Sequence, residues 1–187
     1  LMMDSVTRFA MAQREIGLST GEPPVSRGYP PSVFALLPQL MERAGNSKKG
    51  SITAFFTVLV DGDDLNDPIA DQSRSILDGH IVLTRDLTEQ GFYPPINILK
   101  SASRVIDKVV TKEHYNDFLK LKRVLSLIKE NEVLIRVGAY KKGMDLELDS
   151  AIAKKEKARE FLTQGTLEKY SFDEIVANLR KVLIWYH

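Results

Sequence analysis

The sequence predicts an α/β region followed by an α-helical bundle. Two changes along the chain carry that reading. In the first part a strand-like run, ITAFFTVLV (residues 52–60), sits among short segments of helical period. After about Val110, Gly and Pro nearly vanish and long, charged stretches of helical period take over. A domain boundary is expected there, dividing the 187 residues into 1–110 and 111–187.

Leu1 to Asp4 read as the end of a buried strand running straight into a helix. With no initiator methionine, basic region or small-residue cleavage site, the opening reads as part of a longer protein. Ser5 is placed to cap a helix whose Val6, Phe9, Ala10 and Ile16 share a face. The segment from Gly17 to Pro31, with Pro23, Pro24, Gly28 and Pro30 inside it, stops that helix. Ser32 is expected to open a second helix, with Val33, Leu36, Leu37, Leu40, Met41 and Ala44 on one face and Gly45 just past its end. The nearly continuous β-branched and aromatic run 52–60 suits a strand covered on both faces, as in a parallel sheet. An acidic loop from Asp61 to Pro68, a short helix around Ala70 to Leu77 and a strand from His80 to Leu83 complete the alternation.

In the second part, Phe118, Leu121, Val124, Leu125 and Ile128 form one helical stripe. Ala151, Ile152, Ala158, Phe161 and Leu162 lie on another helix, closed by Gly165. Ser171 and Glu174 make a capping box ahead of Phe172, Ile175, Val176, Leu179, Val182 and Leu183.

Composition narrows the chemistry. With 26 basic and 25 acidic side chains the formal charge is +1, too small for a general field that gathers nucleic acid or anionic membrane. No nucleic-acid partner is expected. No apolar run reaches the roughly 18 residues a bilayer demands, so the chain is expected to be soluble. Zero cysteines exclude disulfides, thiolate metal sites and a cysteine nucleophile. The histidines, His80, His114 and His187, lack metal-binding spacing.

The string GNSKKGS (residues 45–51) imitates the phosphate-cradling GxxxxGK[ST]. It lacks the lysine between the second glycine and the hydroxyl residue, and it precedes a strand instead of a helix. An ordinary helix-to-strand turn is expected. The opening LMMD would put the Asp4 carboxylate at the carboxyl edge of a sheet, where open α/β sheets bind ligands. Asp4 could hold Mg²⁺ there, and an acid capping the next helix explains it equally well. Arg8, one turn on, is placed to meet a phosphate or to form a surface salt bridge. Five aspartates between Asp61 and Asp71 suggest calcium, but the glycine and closing glutamate of an EF-hand are out of register.

The string DSVTRFAMAQREIGLSTGEPPVSRGYPPSVFALLPQLMERAG (residues 4–45) resembles the segment after the Walker B strand in the ATPases of type III protein export. That family drives flagellar assembly and virulence-type injection, and it is similar to the catalytic subunits of rotary ATP synthases. The likeness continues through GSITAFFTVLVDGDDLNDPIADQSRSILDGHIVLTR and GFYPPINILKSASRV, then more loosely through VGAYKKG and FLTQG. It implies part of a RecA-like P-loop NTPase core with a parallel sheet, then a C-terminal helical domain. It further implies ATP and Mg²⁺ as cofactors and a homohexamer that energises protein export. The implied partners are a central coiled-coil stalk protein, a regulatory subunit, substrate–chaperone complexes and an export gate. The implied place is the cytoplasm, peripheral to the inner membrane.

By the same resemblance, Asp4 is the Walker B carboxylate and Arg8 the phosphate-sensing arginine. Tyr93 is the aromatic that stacks on adenine, with Phe92 and Pro94 beside it; from sequence alone a core aromatic at a strand end is the preferred reading. Arg104, in SASRV, matches the arginine finger that reaches a neighbouring subunit's nucleotide, where a planar guanidinium meets the γ-phosphate; from sequence alone it reads as a helix-surface charge. The turn AYKKGMDLELD, with Lys141, Lys142 and Met144, corresponds by position to the lever loop pressed against the stalk, or is simply solvated. The acidic loop lies, by resemblance, near the inner channel.

The family carries its P-loop, the glutamate that positions water and a β-barrel upstream of Walker B, and none of these is in this sequence. The chain alone is therefore expected not to hydrolyse ATP. The flagellar system is the first reading and the virulence homologue the second. A non-catalytic module that binds nucleotide or stalk is the alternative of another class. An RNA-translocating hexamer is disfavoured, since the basic, aromatic-interleaved surface it needs is not evident.

Overall fold

Residues 1–184 are described by a computed structural model; residues 185–187, His187 among them, lie outside the described part. The chain divides into two compact units, Leu1–His80 and Ile81–His187.

The first unit is built on a parallel strand pair. β1 (Met2–Met3) and β4 (Phe55–Phe56) lie in register Met2 to Phe55 and Met3 to Phe56. Beyond that pair, the Thr57 N–H donates to the Met3 carbonyl and the Val6 N–H to the Thr57 carbonyl, both at 3.0 Å. α1 (Val6–Ser19) leaves β1 directly, its first turn capped by the Ser5 hydroxyl, which accepts from the Arg8 N–H at 3.2 Å. The helix continues through Gly17 to Ser19, three residues further than the loop composition suggested. Gly17 is required by packing, because a Cβ there would stand 2.7 Å from Pro30 Cγ.

α2 (Pro31–Met41) starts one residue before the expected Ser32. A proline with its fixed φ suits the first helical position and has no N–H to strand there. The Ser32 N–H is accepted by the Glu22 carboxylate at 3.0 Å. Nor does Gly45 cap α2, which closes at Glu42. Gly45 instead opens an antiparallel hairpin, β2 (Gly45–Ser47) and β3 (Gly50–Ile52). The string GNSKKGS is thus a hairpin whose bend holds Lys48 and Lys49. The phosphate-loop reading stays rejected, because the loop required for it would lead into a helix.

The run 52–60 departs most from expectation. Regular strand is confined to β3 and β4, and the burial alternates: Phe56 and Val58 pack against the core while Phe55 and Leu59 are 62% and 51% exposed. Period-2 geometry sends neighbouring side chains to opposite faces, so one packed face yields this alternation whatever the composition. Val6, Ala10, Tyr29, Val33, Leu37, Met41 and Ile69 form the core under that face. α3 (Pro68–Ile76) supplies Ile69 and is capped by Asp67, whose carboxylate accepts from the Ile69 and Ala70 N–H groups. A short strand, β5 (Gly79–His80), ends the unit, earlier than the expected His80 to Leu83.

The second unit opens with α4 (Arg85–Glu89), β6 (Ala102–Ser103) and α5 (Ile106–Val109). Leu83 contributes only an isolated antiparallel bridge to Ile96. The rest is helical: α6 (Lys112–Glu130), α7 (Glu132–Arg136), α8 (Leu146–Leu162) and α9 (Phe172–Leu183). Leu121, Ala158, Leu179 and Val182 join α6, α8 and α9 in one cluster, while Val124, Leu127, Leu148 and Ala151 join α6 and α8 in another. Thr111, Asp145 and Ser171 cap their helices through side-chain oxygens, and the expected capping box with Glu174 is formed. Among the described residues no helix is long and apolar enough to cross a membrane.

Candidate functional site

Asp4 stands immediately after β1, exposed, and its Oδ1 accepts a hydrogen bond from the Thr57 hydroxyl at 2.6 Å. The cap of α1 is Ser5, so the carboxylate is not spent on the helix and the capping alternative falls. The Asp4–Ser5 and Tyr93–Pro94 peptides are cis. Thr7 fastens the start of α1 to the extended segment beside it: its hydroxyl donates to the Leu59 carbonyl at 3.1 Å and accepts from the Leu59 N–H at 2.8 Å. Arg8, in the same first turn, is exposed. The unit therefore places a carboxylate, a hydroxyl and an arginine around one strand end.

Among the described residues no group of three or more His, Asp or Glu could enclose a metal ion. Mg²⁺ keeps several waters and takes one or two carboxylates with substrate phosphates instead of an all-protein cage. Asp4 fits as such a carboxylate.

In the second unit, Tyr93 lies on the wall of an open cavity of about 560 Å³ that also meets Gly91, Glu160, Gln164, Glu168 and Tyr170. Tyr93 is 51% exposed, so it is not the core aromatic that the sequence left open. Its carbonyl accepts the Gln164 N–H at 2.8 Å, tying the loop after α4 to the segment after α8. Phe92 and Pro94 flank Tyr93 in the chain but do not line the cavity. A half-exposed phenol ring over a polar-edged cavity offers a flat heteroaromatic ring one face to stack on.

Arg104 follows β6 directly and is exposed. In the acidic loop three of the aspartates, Asp64, Asp67 and Asp71, are engaged structurally. Arg27 bonds Asp64 at 2.7 Å and approaches Asp67 to 3.8 Å, while Arg74 bonds Asp71 at 2.9 Å. The hydrogen bond from Arg27 holds the Asp64 carboxyl below its ordinary range.

The turn between α7 and α8 is organised by Asp149. Its two oxygens accept from the Tyr140 hydroxyl and the Gly143 N–H, both at 2.7 Å. Arg123 on α6 adds a bidentate pair to Glu147, with both contacts at 2.7 Å, and holds that carboxyl below its usual range. Lys141, Lys142 and Met144 are exposed on this turn, Met144 by 69%.

Sequence reasoning missed Thr57, Gln164 and Tyr170. Thr57 sits in a β-branched run that reads only as strand. Gln164 and Tyr170 are more than 70 residues from Tyr93 in the chain, and only the fold brings them to one cavity.

An acid at the carboxyl edge of a parallel strand pair stands where open α/β sheets bind ligands. Residues 1–103 match the ATP synthase alpha/beta family, nucleotide-binding domain, and residues 110–181 match the T3SS EscN ATPase C-terminal domain. The chain belongs to the ATP synthase alpha/beta family. It is 60% identical to the flagellum-specific ATP synthase of Helicobacter pylori (strain J99) over 183 residues, which are 97% of this chain and 42% of that protein. The assembled ATPase EscN from the type III secretion system of enteropathogenic E. coli matches with a TM-score of 0.96 and 50% identity, over 98% of this chain and 45% of that one. EscN in complex with its central stalk EscO matches at 0.88 and 49%, over 98% and 44%. The chain thus spans less than half the length of these relatives. The fold class and family expected from the sequence are both borne out.

Proposed function

We propose that this chain is the nucleotide-site and helical part of an ATPase that hydrolyses ATP to energise flagellar type III protein export. The observation that carries the reading is the 60% identity to a flagellum-specific ATP synthase across 97% of the chain. The injectisome ATPase is the second reading, favoured by the 0.96 TM-score to EscN.

In this reading the two halves of the chemistry come from different residues. Asp4 would hold Mg²⁺, which when bound would supply positive charge against the transferring phosphate. Arg8 reads the phosphate from the first turn of α1. Tyr93 stacks on adenine, with Phe92 and Pro94 setting its loop. Arg104 completes the neighbouring protomer's site in a homohexamer, a guanidinium matching the charge that develops on the γ-phosphate. The chain alone does not turn over ATP.

In this reading the family boundary lies near residue 110, supported by family matches that end at 103 and begin again at 110, whereas the compact units of the fold divide between His80 and Ile81. Lys141, Lys142 and Met144 meet a central coiled-coil stalk; the EscN complex with EscO supports a stalk partner. The enzyme works in the cytoplasm beside the inner membrane, with a regulatory subunit, substrate–chaperone complexes and an export gate.

The test is ATP hydrolysis by the full-length protein. Asp4→Asn is expected to reduce Mg²⁺-dependent turnover by at least about a hundredfold and to leave cells without filaments. Unchanged turnover would remove the site.

A further inference from the structure

We infer that Thr57 is a positioning residue whose hydroxyl orients the Asp4 carboxylate; the inference rests on the reading of Asp4 as the acid directed at Mg²⁺.

An exposed aspartate has two free side-chain torsions and samples several orientations. Here one oxygen is taken. The Thr57 hydroxyl lies 2.6 Å from Asp4 Oδ1, within the short range of an O–H donor facing a carboxylate. The same hydroxyl is 3.5 Å from the Met3 carbonyl, too far to compete for its single proton.

The donor is itself held on both sides. The Thr57 N–H is given to the Met3 carbonyl and the Thr57 carbonyl accepts the Val6 N–H. Two residues on, the reciprocal bonds between Thr7 and Leu59 anchor the chain to α1. A β-branched side chain is stiff about χ1, so this fixed backbone aims the hydroxyl at Asp4. Strand propensity does not require the hydroxyl, since valine would serve the extended backbone as well. Thr57 bonds Oδ1, and a carboxylate held in one orientation would meet a metal's water shell without first losing rotamer freedom.

The experiment measures the affinity of the full-length protein for Mn²⁺ with ADP, read by electron paramagnetic resonance of free Mn²⁺. Thr57→Val keeps the shape and removes the donor, and should weaken binding about three- to tenfold, as loss of one partly exposed bond to a charged group implies. Thr57→Ser restores the donor and should return affinity to within about twofold of the wild type. In a double-variant cycle, Thr57→Val should add nothing to Asp4→Asn, because the group it orients is gone. If Asp4→Asn weakens binding and Thr57→Val does not, or if Thr57→Ser is as weak as Thr57→Val, the positioning role is wrong while Asp4 keeps its place. If Asp4→Asn leaves binding unchanged, the reading of Asp4 itself fails and the inference goes with it.

Discussion

Arg104 and Tyr93 are exposed residues next to short elements, β6 and the loop after α4, so either can be truncated without opening a core. Substituting them therefore reports on chemistry. On the proposed function, Arg104→Ala in the full-length protein should reduce turnover by at least about a hundredfold and leave nucleotide affinity within a few-fold, because an arginine finger acts on charge that develops in the transition state. Tyr93→Ala should do the reverse, weakening ATP binding more than it slows the bound reaction, since stacking acts on ground and transition states alike. A titration beside a steady-state assay separates the two, and the opposite order for Tyr93 would return it to a structural role. At this scale the sequence was legible in its charged residues and silent about their neighbours. Asp4 and Arg8 stand in a readable place after an apolar strand. Their alternatives were left open because a carboxylate beside a helix start is ambiguous until Ser5 is seen to take the cap. Gln164 and Tyr170 have no local pattern at all, since their nearness to Tyr93 exists only after folding.

Helix ends were the most legible elements, because capping is decided by a few neighbouring residues. Ser5, Ser171 and Glu174 behave as their positions dictate. The start of α2 and the hairpin β2–β3 were not legible, as proline, serine and glycine each suit several turn geometries and packing chooses among them. Ser171→Ala should cost about 1 kcal/mol in α9. Leu179→Ala, which empties a buried position shared by three helices, should cost about 2 to 5 kcal/mol. Urea unfolding followed by circular dichroism measures both, and equal losses would mean that the α6, α8 and α9 cluster is not close-packed. Acid acts on the same elements. Glu174, through bonds from Ser171, and Glu147, through its bond from Arg123, both have lowered carboxyl pKa values. Their stabilisation is present above the unfolded value of roughly 4.3 and is lost as pH falls through the lowered folded values. Glu147→Gln should flatten the acid limb of a stability profile relative to the wild type, and an unaltered limb would show that the pair with Arg123 contributes nothing.

At the scale of the whole molecule, the proposed function divides one reaction between two protomers, with Asp4 in the site on one chain and Arg104 in the site of the next. The claim can be tested with two variants of the full-length protein that are each inactive alone. Asp4→Asn subunits keep the finger and lack the acid, whereas Arg104→Ala subunits keep the acid and lack the finger. Mixed rings of the two, with mixing verified by native mass spectrometry, contain interfaces where an intact Asp4 faces an intact Arg104, and are predicted to regain ATP hydrolysis. Verified mixed rings that stay as inactive as either parent would contradict it, because an arginine acting within its own chain gains nothing from a neighbour.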